Sequence, residues 1–199
     1  MSITRAKTSS IAQGLPKQKT MLAGNSTILP GSYESIATAT PAGTSTFTFS
    51  SIPSTYQHLQ IRYTARDARA VGINSFNMNF NGDTGSNYMR FHILAGDGAT
   101  ATASAGTTSH TTILAGYEAA ASAAANIFGT GIIDILDYAN TNKNKTTRNL
   151  CGTDLNGSGE VDFMSGLWMS TAAISSITLT VGTSANWSTG STFALYGIR

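Results

Sequence analysis

Any chemistry this chain performs must come from few residues. Its 199 residues include ten acids, twelve Lys or Arg, three His and one Cys. The most complete ligand spacing is Asp154-Leu155-Asn156-Gly157-Ser158-Gly159, the first half of a calcium loop. Such a loop also needs a bidentate Glu at its twelfth position. Ser165 stands there and offers at most one neutral oxygen. The segment reads as an Asn- and Gly-rich hairpin turn flanked by strands. Asp134 and Asp137 form the obvious carboxylate pair. Glycoside hydrolysis needs two carboxyls facing one bond, about 5–10 Å apart. Residues three apart on a strand point to opposite faces, so this pair does not make a shared site. A glycan-degrading enzyme would have to rest on these two with Asp154, Glu160 and Asp162. His58, His92 and His110 show no metal-binding spacing, and Cys151 has no neighbouring Cys. Zinc needs three or four converging ligands. No nucleophile elbow, phosphate loop or dinucleotide fingerprint occurs. The expectation is no catalysis, no metal and no cofactor.

Binding offers more candidates. Trp187 lies in the polar stretch Ser184–Gly190, where an exposed indole would make a contact residue for a receptor or a sugar. Trp168, in Ser165-Gly166-Leu167-Trp168-Met169, reads as core. Asn77, Asn79 and Asn81 form a row on one strand face, and their amides can hydrogen-bond a glycan or remain solvated.

The elements that must position these residues are strands. Period-two alternation runs through Thr46–Phe49, Leu59–Tyr63, Phe76–Asn81 and Ile177–Val181. Each gives one face to a core and one to water. Further strands are expected over 33–40, 88–95, 110–116, 127–138, 145–152, 160–168 and 192–198. Turn residues fill 96–106, 139–144, 156–159 and 182–190. The Ala-rich run 119–125 has helix propensity but is too short to stand alone. About ten short strands imply an all-β fold, a β-sandwich of jelly-roll type over 33–199.

Residues 1–32 differ. Gly14, Pro16, Gly24 and Pro30 break any regular element. Arg5, Lys7, Lys17 and Lys19 carry charge with no acid, and Ile11, Leu15, Met21 and Leu22 are spaced apolar pegs. We read an extended N-terminal arm that anchors on a partner through these residues and Pro16. Four charges without interleaved aromatics do not make a nucleic-acid site. No apolar run reaches membrane-spanning length, and the start lacks the apolar stretch of a secretory signal. Charged residues are only 11% of the chain, against about 25% in an average domain. A low-charge surface is cheap to desolvate, which suits packing against copies of itself or another protein.

Several stretches resemble small tail-fibre-like and virion structural proteins of tailed bacteriophages. They are Gln13–Lys17 with Met21–Asn25, Tyr33–Thr38, Phe49–Tyr56, Phe80–Tyr88, Ile135–Ala139, Ser165–Met169 and Phe193–Ile198. The resemblance implies a place on the virion exterior and partners among capsid, neck or tail proteins. By analogy it implies a homo-oligomer, a trimer being common for such heads. It carries no site residues. A fibre, a capsid decoration protein and a receptor- or glycan-binding head all fit.

Overall fold

The computed structural model describes residues 32–183 and 185–199, with Phe91 and His92 as backbone only. The described residues contain no helix, and Ser32–Arg199 form one compact unit. Twelve strands follow in order: β1 Tyr33–Ala39, β2 Thr46–Phe49, β3 His58–Ala65, β4 Ile73–Phe80, β5 Tyr88–Gly96 and β6 Ala101–Ser104. The second half supplies β7 Ile113–Ala119, β8 Gly129–Ile135, β9 Lys145–Asp154, β10 Gly159–Trp168, β11 Ile177–Val181 and β12 Thr192–Ile198.

Alternation decides which side chains meet. On β4, Phe76, Met78 and Phe80 are buried while Asn77 and Asn79 face out. On β9, Thr147, Asn149 and Cys151 are buried while Arg148 and Leu150 face out. The strands form two antiparallel sheets, ordered β1-β12-β3-β8-β9-β10-β5-β6 and β2-β11-β4-β7. With the hairpins β5–β6 and β9–β10 set aside, successive strands alternate between the sheets except at β4 and β7, which pair within the smaller one. That alternation is the jelly-roll path, with β1-β12-β3-β8 facing β2-β11-β4-β7. The two hairpins widen the first sheet beyond β8, and β7 packs against β8, β9, β10 and β5. The expected all-β sandwich is thus the fold.

The core lies between the sheets. Phe76 meets Tyr63 edge-on at 4.9 Å and 88°, and Trp187 meets Phe193 at 5.2 Å. Each such aromatic pair adds about 0.5–1.5 kcal/mol beyond the area it buries.

Local departures from expectation have physical reasons. Strand β6 sits inside the stretch 96–106 read as turn. Its Ala-Thr-Ala-Ser carries no apolar alternation because it is an exposed edge. The expected strand 127–138 shortens to β8, since Asp137 adopts φ 48° and ends it. The Ala-rich run is a non-helical loop. Arg66 holds it by donating to the carbonyls of Ala121, Ala123, Ala124 and Ile127 at 2.8–3.3 Å.

Candidate functional site

Trp187 does not form an exposed contact. It is 1% exposed, and its indole N–H donates to Glu118 Oε2 at 2.7 Å. The backbone explains the inward turn. The Trp187 N–H donates to Thr44 O, its carbonyl accepts from Gly43 N, and Asp67 bridges it antiparallel. Polar neighbours in sequence hid a residue pinned on three sides. Trp168 is buried as read, with its N–H on Asp83 Oδ2 at 2.7 Å.

Around Trp187 lies a buried polar group of Asp67, Asn74 and Glu118. Burial holds the Glu118 carboxyl well above the ordinary carboxylate range, against the opposing pull of the Trp187 N–H. All three are buried, and Arg69 closes the group by donating to Asn74 Oδ1 at 2.8 Å.

The other candidate acids separate. Asp134 faces out from β8, while Asp137 sits in the following turn and pairs with Lys143 at 2.7 Å. Asp162 is buried under β7, and burial raises its pKa. Asp154 is exposed, and its Oδ1 accepts the Asn156 N–H in the β9–β10 turn. His58 accepts the Asp137 N–H at 3.0 Å. Among the described residues no three His, Cys, Asp or Glu are grouped to hold a metal ion.

Asn77 and Asn79 lie on the outer face of the four-stranded sheet, beside Thr180 and Thr178 respectively. Thr178 in turn shares a hydrogen bond with Thr48 at 2.8 Å, and Thr180 with Thr46. Asn79 donates to Asp83 O at 3.2 Å. This face is polar, and Asn77 Oδ1 is buried in it without a hydrogen-bond partner. The anchoring candidates Arg5, Lys7, Ile11, Leu15, Pro16, Lys17, Lys19, Met21 and Leu22 lie outside the described residues.

The outer face of the eight-stranded sheet has a different character. Ile132, Leu150, Phe163, Leu94 and Ala103 are direct cross-strand partners over β8, β9, β10, β5 and β6. They make a continuous apolar ridge about 19 Å long at the usual strand spacing. Its four large side chains and neighbouring Val161 are 40–59% exposed. Two residues along the same strands runs a second cross-strand row: Thr130, Gly152, Val161 and Gly96. These residues line a groove of about 630 Å³, rimmed by Asp97 and Asp154. On the ridge's far side the charges are paired. Arg148 reaches Asp134 at 3.0 Å, Gln60 donates to Asp134 at 2.8 Å, and Arg62 donates to Gln60 at 2.8 Å. Arg62 also stacks between Tyr33 and Tyr196, 5.2 Å from each ring centre.

This face was not singled out from the sequence, although a signal existed. Ile93-Leu94, Ile132-Ile133, Leu150-Cys151 and Phe163-Met164 are adjacent apolar pairs. An adjacent pair on a strand puts apolar side chains on both faces. The arrangement can bind by shape and burial; it brings no acid–base pair onto the ridge.

No family model, no curated protein and no solved structure matches this chain.

Proposed function

We propose that this chain is a non-enzymatic accessory structural protein of a bacteriophage virion, held to the particle by its N-terminal arm and displaying the sandwich outward. The ridge-and-groove face of the large sheet is the observation that favours an assembly role. Exposed apolar surface on the order of 500 Å² is the size of the largest patch on an ordinary monomer, and such a patch is often functional. The low charge of the chain agrees with it. A glycan-binding head is the weaker reading, because Trp187 is core and only Asn77 and Asn79 remain to carry it.

Imaging the assembled particle at near-atomic resolution tests the proposal. Many copies across the shell would make the chain a decoration protein. A few copies at the neck or tail would make it a fibre. Purified virions lacking the chain by mass spectrometry would end the virion reading.

A further inference from the structure

We propose that the outer face of β8, β9, β10 and β5 is where a second copy of this chain docks, the ridge of each copy seated in the groove of the other. The proposal deepens the assembly reading above by naming the occupant of that face.

The glycines of the groove start the argument. Glycine inside a strand weakens it and marks a close approach by another body. Gly152 lies inside β9 and Gly96 ends β5, both without positive φ. A Cβ on Gly152 would meet nothing nearer than Val161 Cγ2 at 3.5 Å, and one on Gly96 nothing nearer than Thr100 O at 3.9 Å. The chain's own packing leaves room for a side chain at both. The hollow above them is left for something outside the fold.

Strand β9 shows what fits. Its outward residues read Arg148, Leu150, Gly152, Asp154: a cation, a large apolar group, an empty position and an acid. Consecutive outward residues are about 7 Å apart. A twofold axis in the plane of the face, running across the strands between Leu150 and Gly152, sets Leu150 over Gly152 of the other copy. The same axis sets Arg148 opposite Asp154. On β10 it sets Phe163 opposite Val161. The β9 pattern is its own complement, as an isologous contact requires, while on β10 two exposed apolar side chains meet face to face. Asp154 and Arg148 are both exposed, and Arg148 uses one guanidinium nitrogen on Asp134. The area also fits. The ridge supplies on the order of 500 Å² per copy, and the groove and flanking rows bring it toward the roughly 800 Å² per partner of a standard interface.

The test is sedimentation velocity on the purified full chain over a concentration series, with circular dichroism and thermal melting as the check on folding. Wild type is expected to sediment as a dimer or a larger closed oligomer built from it. Gly152→Leu fills the groove where the fold has space, so it is expected to melt normally and to weaken association at least about a hundredfold. Arg148→Asp and Asp154→Arg are each expected to weaken it about tenfold, and the double exchange to recover it. A folded Gly152→Leu that associates like wild type overturns the proposal. So does a wild-type chain that stays monomeric at about 100 µM, including one that instead binds neutral phosphatidylcholine vesicles. An exchange pair without recovery overturns the register. These readouts need no virion, so absence of the chain from particles would sink the virion role and leave this result standing.

Discussion

At the scale of single residues, the buried acid is the place where pH enters. Glu118 sits with both carboxyl oxygens out of water, one accepting from Trp187 and the other without a partner. Burial raises its pKa well above 4.5, and the nearby Asp67 adds to the effect. Below about 4.5 the folded and unfolded chains both hold this proton. Above it the unfolded chain releases the proton and the folded chain keeps it, so stability falls with rising pH at up to about 1.4 kcal/mol per unit until the folded group titrates. Glu118→Gln keeps an acceptor for Trp187 and removes the titration. Melts of both proteins from pH 5 to pH 8 should diverge, with the Gln variant gaining as pH rises; a gap that does not change with pH would refute the assignment. Cys151 makes a second case. Burial pushes its thiol up to about 11. Ellman's reagent at pH 8 should therefore leave the native thiol unmodified and titrate one thiol per chain in urea; rapid labelling of the native chain would contradict the burial.

At the scale of elements, two glycines of one hairpin should behave oppositely. Gly159 has φ 147°, and a Cβ there would lie 2.2 Å from Thr153 O. Gly159→Ala should cost roughly 1–3 kcal/mol in urea unfolding. Gly152→Ala meets only an ordinary contact and should be neutral or slightly stabilising, by up to about 1 kcal/mol. Equal losses at both sites would mean the β9–β10 turn is not as described. The edge strand β1 gives another test. Tyr33 of β1 and Tyr196 of β12 clasp Arg62 of β3. Arg62→Ala should speed amide exchange in β1 several-fold while leaving β4 and β11 unchanged; uniform speeding would make Arg62 a global stabiliser instead. Strands like β4 were legible in the sequence because Phe76, Met78 and Phe80 alternate with Asn. Strand β6 was not, because an edge of Ala and Thr needs no apolar side. Trp187 misled for a related reason: its burial comes from pairing with Thr44 and Asp67, over a hundred residues away in the chain. The ridge was half legible, since adjacent apolar pairs announce two-faced strands without saying that four of them line up.

At the scale of the whole molecule, the described sandwich joins its two ends. Its first strand pairs with its last, Tyr33 opposite Ile198 and Ala39 opposite Phe193. The Arg199 N–H donates to Ser32 O at 3.3 Å, just before β1 begins. All eight jelly-roll strands, and both hairpins that widen the first sheet, fall between Tyr33 and Ile198. Deleting residues 1–31 leaves every pairing among the described strands in place. The shortened chain should therefore keep its circular dichroism and melt within about 3 °C of the full chain, equivalent to less than about 1 kcal/mol for a domain of this size. Under the proposed division of labour, the same deletion should abolish incorporation into particles when supplied in place of the full chain. Arg5, Lys7, Lys17 and Lys19 would be the residues to restore in pairs. A shortened chain that folds and still joins the particle would move the anchor from the arm onto the sandwich, and the ridge of Leu150, Phe163 and Leu94 would then be the first surface to test for it.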